Sequence, residues 1–229
     1  MTRAGTSWTR TGVLLERSGA VYIEVPKVAC SSIKILLANW LGVDLEAVGG
    51  DPHQAEFPEP GPPQGGSRLY PALFSFAFVR NPWDRLVSCY RDKVLGDAPD
   101  FTTLHPERGV AYCLARFDAF RPGMPFDEFV EAVTAIPDEE ADEHFRSQYT
   151  FLTNRYGQLA IDFVGRFERL AEDFAAITHK LGLPSTKVPH VQAARTRVPY
   201  GQYYDRATRA AVAQRYREDV HLFEYASIG

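Results

Sequence analysis

A short, β-branched apolar run, Ala20 to Val25 (A-V-Y-I-E-V), is closed by Pro26-Lys27. A run of this length bounded by turn residues predicts a buried strand. Ile33, Leu36, Leu37, Trp40 and Leu41 then recur at helical spacing, with Ser31 or Ser32 placed to cap the amino end and Gly42 to stop the helix. The same order repeats downstream. Leu73 to Val79 (L-F-S-F-A-F-V) predicts a second interior strand, Pro82 suits a helix's first turn, and Trp83, Leu86, Val87, Tyr90 and Val94 form an apolar stripe.

Between these units, Gly49 to Gly66 is dense in Gly and Pro, which removes both backbone donors and helix propensity. It reads as a long loop and a candidate substrate lid. Residues Gly96 to Pro137 predict helices near Val110–Phe117 and Pro125–Val133, forming a cap or insertion. Glu139–Leu152 is expected to be helical, Ile161–Phe167 a third strand, and Glu168–Leu181 an amphipathic helix ended by Gly182. Asp205 is placed to cap a last helix running to about Phe223. Strands alternating with helices predict an α/β fold whose parallel sheet is covered on both faces. A single domain over residues 1–229 is expected, with 96–137 as its helical insertion.

Composition narrows the functional classes. At 229 residues with 45% hydrophobic content, the chain can bury a sizeable core. A net charge of -4 argues against a broad nucleic-acid surface, which needs clustered Lys and Arg. One stretch, Phe174 to Tyr204, lacks acidic residues and carries Lys180, Lys187, Arg195 and Arg197. Cys30, Cys89 and Cys113 form no disulfide set and show no zinc-ligand spacing, so neither a metal nor an oxidising compartment is expected. No apolar stretch approaches the roughly 20 residues of a membrane helix and no secretory h-region opens the chain, so the expectation is a soluble cytoplasmic protein.

The candidate chemistry lies in the two strand-to-helix turns. P-K-V-A-C-S-S-I-K at Pro26–Lys34 leaves a strand and opens a helix, which aims backbone N–H groups and the positive end of the helix dipole at one spot. Small Ala29, Ser31 and Ser32 let an anion approach, and Lys27 adds a cation. This is not the G-x-x-x-x-G-K-[ST] loop, since the lysine comes first. R-N-P-W-D-R-L-V-S-C-Y-R-D-K at Arg80–Lys93 supplies Arg80 at the strand end and Ser88 two turns into the helix, both able to face one phosphate. Arg85 and Arg91 are read as structural partners of carboxylates such as Asp84 and Asp92.

These motifs resemble those of the sulfotransferases that use 3'-phosphoadenosine 5'-phosphosulfate (PAPS), in the branch containing the Golgi carbohydrate sulfotransferases. The first is similar to that family's 5'-phosphosulfate loop, the second to its 3'-phosphate motif. The likeness extends through H-F-R-S-Q at His144–Gln148, G-R-F-E-R-L-A-E-D-F at Gly165–Phe174, Y-Y-D-R-A-T-R at Tyr203–Arg209 and Y-R-E-D-V-H-L-F-E-Y at Tyr216–Tyr225. It implies a three-layer, P-loop-like parallel sheet flanked by helices, and use of PAPS with release of the bisphosphate PAP and no metal. Lys27, Val28, Ala29, Cys30, Ser31 and Ser32 would hold the phosphosulfate and Arg80 and Ser88 the 3'-phosphate. Arg195, Thr196 and Arg197 would form a late nucleotide-contacting loop, although Q-A-A-R-T-R departs from the family's Asn and Ser pattern there. Lys27 would also be catalytic, with His53 or His144 as general base and Glu56 as another option. The acceptor would be a hydroxyl or amine of a sugar or specialised metabolite, with neither nucleic acid nor membrane as partner. A kinase on a related sheet and a non-catalytic nucleotide-binding protein are the alternatives.

Overall fold

The computed structural model describes residues 12–64, 66–96, 104–184 and 198–226. Four strands, β1 (Gly12–Leu15), β2 (Ala20–Ile23), β3 (Phe74–Val79) and β4 (Phe163–Arg166), form one sheet in the order β1-β2-β3-β4. β2, β3 and β4 are parallel, and β1 joins the edge as an antiparallel hairpin arm. The three parallel strands are the ones the sequence predicts, trimmed at their ends. β1 is an addition, with Leu14 N donating to the Pro58 carbonyl at 2.7 Å, so part of the Pro-rich loop lies along it.

Eight α-helices and four short 3-10 helices accompany the sheet in the described residues, the α-helices being α1 (Cys30–Leu41), α2 (Pro82–Lys93), α3 (Tyr112–Ala115), α4 (Phe126–Ala135), α5 (Tyr149–Leu152), α6 (Leu170–Lys180), α7 (Arg206–Arg215) and α8 (Arg217–Leu222). β2 is buried along its whole length and β3 nearly so, as a parallel strand covered on both faces must be. Phe76 and Phe78 share one face of β3 by the period-two rule, and Phe78 packs on Phe174 of α6. Trp40 of α1 stacks on the same Phe174, with ring centroids 5.6 Å apart, so α1 and α6 lie side by side over that face. Gly165 on β4 is opposite Phe78 in register, and a Cβ there would run into the Phe78 ring. A second apolar cluster, centred on Trp83, Phe120, Phe129 and Tyr216, joins α2 to α3, α4 and α7, so the described part of the 96–137 insertion packs into a core that it shares with α2 and α7.

Three expectations are corrected. Residues 139–152 are mostly turns, and only α5 is helical, because Asp138 and Asp142 side chains accept the backbone N–H groups of Ser147 and His144 and compete with the helix ladder. The last helix is two, α7 and α8, broken at Tyr216. Neither Ser31 nor Ser32 caps α1. The cap position is Ala29, in the left-handed region at φ 70°, and both serines lie in the first helical turn. Gly42 and Gly182 do stop their helices' runs with positive φ, and Asp205 caps α7 through Thr208.

Candidate active site

The β2–α1 turn is built around two left-handed residues that are not glycine, Lys27 and Ala29, each at φ 70°. Such a conformation costs a non-glycine residue about 1–2 kcal/mol, and it persists at functional turns because the surroundings hold it. Here the holding group is Arg85. Its buried guanidinium donates to the carbonyls of Pro26 (2.9 Å), Arg146 (2.7 Å) and Glu143 (2.9 Å). Arg85 is thus structural, as expected, but its partners are backbone oxygens rather than Asp84 or Asp92.

α1 begins at this turn with no capping side chain and no acidic residue in its first turn. α2, α4, α6 and α8 each carry acidic residues there. The amino end of α1 therefore presents uncompensated positive dipole and small, buried Ser31 and Ser32, the environment that suits an anion. Val28 is fully buried in the core, so only its backbone is available to a ligand.

The two motifs meet physically. Arg80 Nη1 donates to the Lys27 carbonyl at 3.2 Å, and its Nε to Asp84 at 2.8 Å, while its guanidinium stacks 4.0 Å from the Phe167 ring. The Arg80 backbone is clamped in turn by Gln148, which accepts from its N–H and donates to its carbonyl, both at 2.9 Å. Gln148 is held by buried Asp219, which accepts the N–H groups of Gln148 (2.9 Å) and Tyr149 (2.7 Å). Asn81 caps α2 by accepting from Trp83 and Asp84 N–H, with Pro82 at the first turn, which fixes the direction of the helix that carries half-buried Ser88.

Lys27 points toward the other end of α2, where Nζ pairs with Asp92 Oδ2 at 2.5 Å. Lys93 contacts the same carboxylate oxygen at 3.2 Å. Asp84 and Asp92 are about 12 Å apart along the helix axis at 1.5 Å per residue. The Lys27 ammonium and the Arg80 guanidinium thus serve opposite ends of one helix. Asp92 is the part of the site that sequence reading missed, since nothing in its local motif signals a lysine 65 positions away.

Of the two candidate bases, His53 adjoins the loop. Its Nε2 shares a 2.8 Å hydrogen bond with Ser31 Oγ, and its Nδ1 lies 3.6 Å from Glu24 Oε1. Asp51 fixes the turn by accepting the His53 backbone N–H at 2.9 Å. Burial lowers the imidazole below its usual 6.5, with Glu24 opposing and Lys34 adding to the shift. Lys34 Nζ binds the second Glu24 oxygen at 2.6 Å. Burial also pushes the neighbouring Cys30 thiol up to about 11, which keeps it protonated. His144 instead pairs with Asp142, its Nδ1 2.6 Å from Asp142 Oδ1. Glu56 has no contact that joins it to the loop, and Arg195, Thr196 and Arg197 lie outside the described residues. Among those described, no helix is long and apolar enough to cross a membrane.

A parallel sheet whose two strand-to-helix turns are joined by the Arg80 to Lys27 carbonyl bond is an α/β fold with turns of the kind that suit an anion. The chain belongs to the Sulfotransferase family, whose profile it matches over residues 13–226. It is 27% identical to carbohydrate sulfotransferase 14 of Danio rerio over 72% of this chain and 46% of that protein. It is also 27% identical to human carbohydrate sulfotransferase 8 over 92% of this chain and 54% of that protein. An uncharacterized protein of Archaeoglobus fulgidus is 29% identical over 52% of this chain and 76% of its own length. The chain spans about half the length of the carbohydrate sulfotransferases it matches. No solved structure matched it.

Proposed function

We propose that this protein transfers the sulfuryl group of PAPS to a hydroxyl of a carbohydrate or a related small acceptor. The observation that carries the reading is the Arg80-to-Lys27 carbonyl bond, which joins the two motifs into one cradle at the amino end of α1. Family membership supports the reaction class, and the names of the relatives support a sugar acceptor.

In this reading the first-turn N–H groups of α1 and the Ser31 and Ser32 hydroxyls hold the phosphosulfate, and Arg80 with Ser88 holds the 3'-phosphate. Lys27 exchanges Asp92 for the bridging region of the donor and stabilises charge on the leaving phosphate. His53 accepts the proton of the attacking hydroxyl at Nε2, the nitrogen that now contacts Ser31, while the Glu24 carboxylate behind Nδ1 favours the imidazolium that forms. His53 is preferred to His144 because only His53 contacts the loop itself.

The test has two parts. PAP, but not ATP with magnesium, is expected to raise the melting temperature, as a ligand bound by the folded state alone must. Sulfate-labelled PAPS with a panel of sugars, followed by mass spectrometry, is expected to yield a sulfated product. Stabilisation by ATP with magnesium in place of PAP would favour a kinase, and PAP binding without transfer to any acceptor would leave a nucleotide-binding protein.

A further inference from the structure

Spacing along the sequence shows no metal motif, yet the fold gathers a Cys, an Asp and a His outside the cradle. One donor atom from each of Cys113, Asp142 and His144 lies within 4.8 Å of the other two. Cys113 stands on α3 of the insertion, and Asp142 and His144 on the turns before α5. Asp142 already organises the trio: its Oδ1 accepts the His144 backbone N–H at 3.1 Å and contacts the ring Nδ1 at 2.6 Å. Asp142 is buried, while Cys113 and His144 are half-buried, so the donors are sheltered yet reachable from solvent.

The donor set is selective. Thiolate, imidazole and carboxylate together suit a borderline divalent ion such as zinc, whereas magnesium and calcium favour oxygen alone. Three protein donors leave one tetrahedral position for water or another ligand. On binding the metal the Cys113 thiol releases its proton to solvent, and the resulting thiolate and the carboxylate together offset the charge of the dication. The cations facing the trio are Arg116 and Lys93. Arg116 Nη2 is 3.7 Å from the other Asp142 oxygen, but its side chain is 57% exposed and its guanidinium rests 4.6 Å from the Phe117 ring, so it pairs with Asp142 only loosely. Lys93 is engaged by Asp92. Among the described residues there is one other such trio, Glu24, Cys30 and His53. There Lys34 occupies Glu24 at 2.6 Å, and the residues belong to the donor cradle.

We propose that Cys113, Asp142 and His144 bind a divalent transition-metal ion of the zinc class, which fastens α3 of the insertion to the turns that precede α5. No step of sulfuryl transfer passes through this site, and the inference does not depend on the proposed reaction.

Cobalt(II) is the probe. The full chain, stripped with chelator and kept reduced, is titrated with cobalt alongside Cys113→Ser, Cys30→Ser and Asp142→Asn. The expected result is a saturable thiolate-to-cobalt absorption in the wild type and in Cys30→Ser, displaced by zinc and absent in Cys113→Ser. Asp142→Asn is expected to weaken cobalt binding by about 10-fold or more. No such absorption in the wild type, its survival in Cys113→Ser, or its loss in Cys30→Ser overturns the proposal. Circular dichroism checks that Cys113→Ser is folded. If it is not, the Asp142→Asn titration decides, and unchanged affinity there overturns the proposal.

Discussion

Lys27 and Asp92 form a 2.5 Å ion pair whose side chains are 6% and 7% exposed. The ammonium proposed to meet the donor's phosphate is therefore neutralised by a buried carboxylate. An incoming anion must compete with a carboxylate. Asp92→Asn is expected to lower the melting temperature of the free protein, since leaving a buried charge unpaired costs about 3–5 kcal/mol. The same variant is expected to bind PAP more tightly, because no carboxylate then opposes it. Calorimetric titration and thermal melts check both. Weaker PAP binding by Asp92→Asn would show that Asp92 positions Lys27 rather than restraining it.

Lys27 and Arg80 differ in what they hold. Lys27→Ala is expected to reduce turnover roughly 100 to 1000-fold, the usual cost of one preorganised donor to a developing charge, with a smaller loss of PAP affinity. Arg80→Ala is expected mainly to weaken PAP binding. Some loss of turnover accompanies it, because Arg80 also supports the Lys27 carbonyl. Steady-state constants and direct binding separate the two, and equal, small effects would reject the division of roles.

The pH dependence follows from His53. Its pKa is lowered by burial, and a base works only when unprotonated, so activity is expected to fall as pH drops through a value below the ordinary 6.5. Glu24 opposes that lowering. Glu24→Gln removes the opposition, so the acidic limb should move to still lower pH while the maximal rate drops. A limb that keeps its position in Glu24→Gln would assign Glu24 to its ion pair with Lys34 alone. His53→Ala should abolish the limb.

Asp219 links stability to the placement of Arg80, since it holds the Gln148 that clamps the Arg80 backbone. Burial raises its carboxyl from 3.8 to about 6. Between those values the unfolded chain has lost the proton that the folded chain keeps, so this group's contribution falls as pH rises through the window. Asp219→Ala strips the acceptor from two buried N–H groups, at about 1–3 kcal/mol for each. That loss is offset in part by the relief of a buried charge. Urea denaturation should show the wild type's advantage over Asp219→Ala narrowing as pH rises from 3.8 toward about 6. PAP affinity should fall as well, because Gln148 no longer holds the Arg80 backbone firmly.

Much of the cradle is legible in the sequence. A β-branched run, a polar turn and a 3.6-residue stripe are local signals, so the units carrying Lys27 and Arg80 can be read directly, as can Gly42 at the end of α1. The contacts that close the site are not local. Asp92 reaches Lys27, Arg85 reaches three carbonyls and Glu24 reaches His53 only after the chain has folded. The helix expected over 139–152 fails for a related reason. Its apolar spacing is real, but Asp138 and Asp142 offer the backbone better partners than another helical turn would, and Arg215 then pairs with Asp138 at 2.7 Å. β1 is four residues on an edge, too short for alternation to stand out.

Arg85 carries a consequence for how this architecture tolerates change. A peptide oxygen looks the same whichever residue bears it, so a guanidinium that grips only peptide oxygens is indifferent to substitution at positions 26, 143 and 146 provided the chain keeps its path. Robustness is thereby concentrated in a single side chain. Lysine in its place, with one ammonium for three separated targets, would let go of the turn it now braces.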